Sequence, residues 1–166
     1  MYYEDIIRRL NDHGIRYVVV GGVALVLHGV VRLTVDLDLM VQMSRENLEK
    51  FIETVQAAGY RPKPPVNAEE FIDPANRRRW KEEQGMQVFS FFHPKEQGKL
   101  IDVFIDEPID FTEIERDKKI VKAGDLEIPI ASIGHLKRLK RISARPQDLA
   151  DIEALETVEE MDRENT

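Results

Sequence analysis

The run from Arg16 to Asp38 constrains the fold more than any other part of the chain. Arg16 to Val20 is continuous and β-branched, which predicts a buried strand running directly into Gly21-Gly22. Val23 to His28 resumes as a short apolar helix closed by Gly29. Thr34 to Val41 then alternates with period two, placing Asp36 and Asp38 on one face of a second strand and Leu37 and Leu39 on the other. The result is a tight turn beside an acidic sheet face.

That juxtaposition has a chemical reading. Two glycines let a phosphate approach backbone N–H groups with no Cβ in the way, where a helix opens. Carboxylates at i and i+2 of a strand have Cα atoms about 6.5 Å apart and converge on the same ions. A neighbouring strand, Lys99 to Asp106, puts Leu100, Asp102, Phe104 and Asp106 on one face, so Asp102 is the expected third carboxylate, with Asp106 as the alternative. Three carboxylates about 5 Å apart repel by about 3 kcal/mol per pair at an effective dielectric near 20, so such a cluster needs cations, and magnesium suits hard oxygen ligands that leave room for phosphate. Arg32 and Thr34, in step with Asp36, are expected to add a cation and a hydroxyl on its face. Each part alone has a plainer meaning: Gly-Gly as an ordinary turn, Asp-x-Asp as a solvated strand face.

Tyr2 to His13 and Leu48 to Val55 carry helical stripes, the second opening at Ser44, and Met86–Phe92 with Lys99–Asp106 form a hairpin-like pair. Asn67 to Gln84, with Arg77-Arg78-Arg79-Trp80, reads as a loop with a short helix, suited either to gripping an acceptor or to a solvated face. Ile120–Ala123 and Leu126–Ile130 flank Gly124-Asp125 as a second hairpin. Ser132 to Ile142 is a basic helix, in which Lys137 and Lys140 lie one turn apart, and a last helix spans Gln147 to about Glu156. The order predicts an α/β (α+β) fold, one mixed sheet flanked by helices with C-terminal helices: a single domain over 1–158 and a polar, frayed tail over 159–166.

With 42% hydrophobic residues in 166, the chain buries roughly 70% of its unfolded surface in one core. Absence of cysteine excludes a disulfide scaffold and thiol catalysis, making cytoplasm the expected compartment. The longest apolar stretch, Tyr17–Val31, is too short and too interrupted for a membrane span. Residues 147–166 hold eight acidic groups and one base, leaving 23 of each sign in 1–146, so the net charge of −7 belongs to the last twenty residues. A neutral body has no strong duplex nucleic-acid signature. The bases Lys137, Arg138, Lys140, Arg141 and Arg145 form a local patch, suited to an anionic ligand or to the acidic last helix, whose Asp148 and Asp151 sit where negative charge favours a helix start.

Gly21-Gly22-Val23-Ala24, His28-Gly29, Arg32-Leu33-Thr34-Val35-Asp36-Leu37-Asp38-Leu39, and later Lys140 with Arg145-Pro146-Gln147-Asp148-Leu149-Ala150-Asp151 resemble the nucleotidyltransferase superfamily that includes DNA polymerase β, and within it the small bacterial proteins related to abortive-infection toxins. The resemblance implies transfer of a nucleoside monophosphate from an NTP to a hydroxyl of tRNA or other RNA, a protein or a small molecule, dependent on Mg²⁺ or Mn²⁺. It also implies roles: Gly21 and Gly22 as the phosphate-binding turn, Asp36, Asp38 and Asp102 as metal ligands, Lys140 on the triphosphate, and Asp148 and Asp151 as late carboxylates of the nucleotide site; Lys137, sharing the helix face of Lys140, is expected to add its charge to the nucleotide site. Many members carry Ser where this chain has Gly22, a missing hydroxyl. The alternative is a nucleotide-binding module without turnover that acts as a regulatory or antitoxin-type partner; either way a partner protein is expected.

Overall fold

The computed structural model describes residues 2–166. Its strands are β1 (Tyr17–Val20), β2 (Leu37–Val41), β3 (Arg61–Pro62), β4 (Val88–Phe92), β5 (Leu100–Phe104), β6 (Lys119–Ala123) and β7 (Leu126–Ile130), joined in one sheet of order β3-β4-β5-β2-β1-β7-β6. The helices are α1 (Glu4–Asp12), α2 (Gly21–Leu27), α3 (Arg45–Ala57), α4 (Pro74–Gln84), α5 (Phe111–Arg116), α6 (Ile133–Ser143) and α7 (Pro146–Glu164). The sheet is mixed: β1 runs antiparallel to β2 and parallel to β7, β2 parallel to β5, and β4 antiparallel to β5. This is the α/β architecture expected.

Burial explains which strands are central. All four residues of β1 are buried, as its unbroken apolar run requires of an interior strand. Phe51, Phe71, Phe89 and Phe91 are fully buried, each contributing roughly 2–3 kcal/mol of apolar burial. Ser44 caps α3 by accepting a hydrogen bond from the Asn47 N–H at 3.2 Å, as its position predicts.

Four elements differ from expectation. The second strand begins at Leu37, not Thr34, and residues 31–35 form an irregular connection in which Val31 and Leu33 are almost wholly exposed. The middle segment is more regular than a loop: a 3₁₀ turn (Ala68–Ile72) leads into α4, which Asp73 caps and Pro74 opens, while the buried Arg77 side chain donates to the carbonyl of Ile72 at 2.9 Å. Residues 107–118 contain the short helix α5, capped by Asp110 through the N–H of Thr112 at 2.9 Å. The last helix continues through Glu164, so residues 159–164 are helical. Lys137 pairs with Glu159, Arg163 lies 4.0 Å from the same carboxylate, and Val158 packs on the core, contacts that extend the helix beyond its apolar stripe.

Candidate active site

Strand register assembles the site. Val20 is the partner of Asp38, Asp38 of Asp102, and Asp102 of Ser90, forming one row across β1, β2, β5 and β4. Residues in one row of adjacent strands project from the same face about 4.8 Å apart along the row, so the two carboxylates face one another by construction. Ser90 donates its hydroxyl to Asp102 Oδ1 at 2.6 Å. Asp36 stands two residues before Asp38, at the entrance to β2.

The glycine turn closes against this row. Gly21 has φ +65°, and a Cβ there would lie 2.1 Å from Asp38 Oδ2. A Cβ on Gly22 would lie 2.3 Å from Thr34 Oγ1, with the Arg32 guanidinium carbon 3.7 Å away. Both glycines are therefore required by the side chains packed on them, and the Gly22 N–H donates to the Asp38 carboxylate. Thr34 and Arg32 reach the turn from the irregular connection rather than from a strand in step with Asp36.

Burial, followed by the charges of Asp102 and Asp36, pushes Asp38 up to about 7, against the lowering influence of Lys140 and the Gly22 N–H. Burial also raises Asp102, opposed by the Ser90 hydrogen bond. These shifts mark carboxylates short of positive charge. Among the described residues no group of three or more acidic or histidine side chains is gathered closely enough to hold a metal ion in the arrangement seen. The donor set nevertheless fits a hard divalent cation: Asp38 and Asp102 present carboxylate oxygens from one row, with Asp36 near enough to raise both.

A cavity of about 680 Å³ opens over the row, lined by Gly21, Asp38, Asp102 and Lys140 together with the apolar Phe104 and Leu139. Lys81 and Asp106 pair at its edge, so Asp106 belongs to the cavity wall and not to the carboxylate row.

The C-terminal helices close the remaining side. Asp148, 1% exposed, accepts from the Arg145 backbone N–H at 3.1 Å and from Arg145 Nε at 2.9 Å, and lies 3.3 Å from Lys140 Nζ. Burial favours its neutral form, yet these hydrogen bonds outweigh it and hold its carboxyl well below the usual range. Asp151, 4% exposed, bonds Arg32 at 2.6 Å and Lys140 at 2.9 Å. Lys137 turns to Glu159 on α7 and does not line the cavity. His28 binds the carbonyl of Ala131 at 2.8 Å, a packing role. Ser90 and Lys81 escaped sequence reasoning as members of this region, while Arg145 belongs to the expected basic patch; only the hairpin register around His93–Gly98 signals Ser90, by fixing it opposite Asp102.

This is the nucleotidyltransferase fold, and solved structures of low identity share it. LnuA, a lincosamide antibiotic adenylyltransferase solved with lincomycin, is 16% identical with a TM-score of 0.57, over 93% of this chain and 94% of that one. ANT(2″)-Ia in complex with adenylyl-2″-tobramycin is 14% identical with a TM-score of 0.55, over 93% and 88%. An antigenic nucleotidyltransferase-like protein from Paracoccidioides brasiliensis is 15% identical with a TM-score of 0.59, over 93% and 73%. No curated protein matches the sequence significantly. The chain belongs to the family described as nucleotidyl transferase AbiEii toxin, type IV toxin–antitoxin system, whose model matches residues 5–165. Among the described residues no helix is long and apolar enough to cross a membrane.

Proposed function

We propose that the protein is a toxin-like nucleotidyltransferase, dependent on Mg²⁺ or Mn²⁺, that transfers a nucleoside monophosphate from an NTP to an acceptor hydroxyl. The observation that carries this reading is the row Val20–Asp38–Asp102 set against the Gly21-Gly22 turn. In the reaction the acceptor oxygen attacks the α-phosphorus, the bond to the bridging oxygen breaks, and pyrophosphate leaves with the electron pair. Asp36, Asp38 and Asp102 would hold the divalent ion, which when bound neutralises charge on the triphosphate and the attacking oxygen.

The chain's own residues supply the rest. The Gly21-Gly22 turn and the Thr34 hydroxyl receive phosphate oxygens, while Arg32 and Lys140 set positive charge beside them. Asp102, raised by burial and steadied by Ser90, accepts the acceptor hydroxyl's proton. Asp148 and Asp151 act on the nucleotide through the cations they hold, and Lys137, engaged by Glu159, stays outside the contact set.

The family's toxin character favours a cellular acceptor such as tRNA or a protein, and the family's place in toxin–antitoxin systems favours a partner protein. The lincomycin and adenylyl-tobramycin complexes of the two adenylyltransferases keep a small-molecule hydroxyl in view. Incubation with each labelled NTP, Mg²⁺ or Mn²⁺, and total RNA, lysate protein or small polyols tests the reading. Label is expected in one acceptor pool and none with Asp38→Asn.

A further inference from the structure

Asp148 and Asp151 lie one turn apart on α7, yet the structure gives them different work. Asp148 is bonded to the backbone and side chain of Arg145, the residue that starts its own helix, and so secures a local helix end, with Lys140 a longer 3.3 Å away. Asp151 instead ties together distant parts of the chain. Arg32 arrives from the connection between α2 and β2, and Lys140 from α6. Both bind the same oxygen, Asp151 Oδ2, at 2.6 Å and 2.9 Å, while Gln147 Nε2 donates to Oδ1 at 3.1 Å.

The two cations so held both belong to the proposed site. The Arg32 guanidinium stands beside Gly22, and Lys140 lines the cavity and acts electrostatically on Asp38. Two like charges drawn onto one oxygen repel, and without that oxygen they would separate. Held there, they lie within reach of one phosphate group.

We propose that Asp151 is a positioning residue: it touches neither nucleotide nor metal, but fixes Arg32 and Lys140 as a pair aimed at the triphosphate. The proposal rests on the nucleotidyltransferase reading above. It predicts an unusual split in kinetics. Removing the Asp151 charge frees Arg32 and leaves Lys140 with only its longer contact to Asp148, which strengthens general attraction for an anionic NTP but loosens the geometry that the transition state needs. Ground-state binding and turnover therefore respond differently.

The test is Asp151→Asn in the full chain, which keeps an acceptor for Gln147, assayed by labelled-NTP transfer and by mass-spectrometric acetylation of lysines without nucleotide. Expected are a kcat at least ten-fold lower, a KM within about three-fold of wild type, and several-fold faster acetylation of Lys140 with Lys122 unchanged. In an Arg32→Ala, Lys140→Ala background the same substitution should cost less than two-fold further. A full ten-fold loss in that background, a KM rising as much as kcat falls, or unchanged Lys140 reactivity would overturn the proposal. Should Asp151→Asn not fold, Arg32→Ala serves: kcat should fall about ten-fold with Lys140 still protected, and an unaltered kcat overturns the pairing. A wild type that neither binds nor transfers any NTP contradicts the enzymatic reading itself, and the acetylation measurement still reports whether Asp151 holds Lys140.

Discussion

Thr34 fills the space that a side chain on Gly22 would occupy: its Oγ1 lies 2.3 Å, and its Cβ 2.8 Å, from the position of a Cβ there. The hydroxyl absent from position 22 is thus replaced by one delivered from twelve residues along the chain. Gly22→Ala should collide with Thr34 and destabilise by about 1–3 kcal/mol, the usual cost of overpacking. Adding Thr34→Gly, which removes both the Oγ1 and the Cβ in the way, should recover most of that loss. Gly22→Ser with Thr34→Gly returns a hydroxyl to the turn and should bind NTP more tightly than Thr34→Gly alone, by about 1 kcal/mol. Thermal melts and nucleotide titrations of the single and double variants check this; additive losses would contradict it.

Asp38 makes stability depend on pH in a predictable direction. Its ordinary value is about 3.9, and in the fold it stands at about 7, so between these limits the folded protein keeps a proton that the unfolded chain has lost. Stability contributed by that proton is present at the acid end of the window and falls as pH rises through it. Asp38→Asn removes the dependence and should be the more stable protein at pH 8, by up to about 4 kcal/mol, while matching wild type near pH 4. Chelator-treated protein unfolded in urea at pH 4 to 8 tests the difference between the two curves.

Lys140 and Lys137, one helical turn apart, should separate cleanly. Lys140→Ala is expected to weaken NTP binding by about 1.5–3 kcal/mol, the range of a charge-assisted contact. Lys137→Ala breaks the pair with Glu159 and should lower stability by at most about 1 kcal/mol with nucleotide affinity unchanged. Calorimetric titration of both variants reads the contrast, and equal losses of affinity would replace the specific assignment with diffuse electrostatics.

The central sheet and its acidic face were legible because they depend on local pattern. The apolar run Tyr17–Val20, the glycine turn and the alternation around Asp36–Asp38 each carry a period or a steric signature. The strand's true start was not legible, since Thr34 and Val35 keep the alternation while Val31 and Leu33 turn to solvent. Helix α4 was obscured by its polarity: Arg77 and Trp80 are its buried residues, and a stripe containing arginine does not read as a core face. The tie from Asp151 to Arg32 spans 119 positions and has no local signal. Only the docking of α6 and α7 on the sheet brings it about.

Transfer of labelled nucleotide by wild type, Asp36→Asn and Asp38→Asn, with Mg²⁺ and a mixture of RNA, protein and small-molecule acceptors, tests the central claim most directly. Wild type should label an acceptor and release pyrophosphate. Each variant should lose at least a hundred-fold of that activity while remaining folded, because it keeps its shape and loses a charge from a crowded group of carboxylates. Transfer that survives either substitution undiminished would show that the Asp36–Asp38 pair is not where the chemistry takes place.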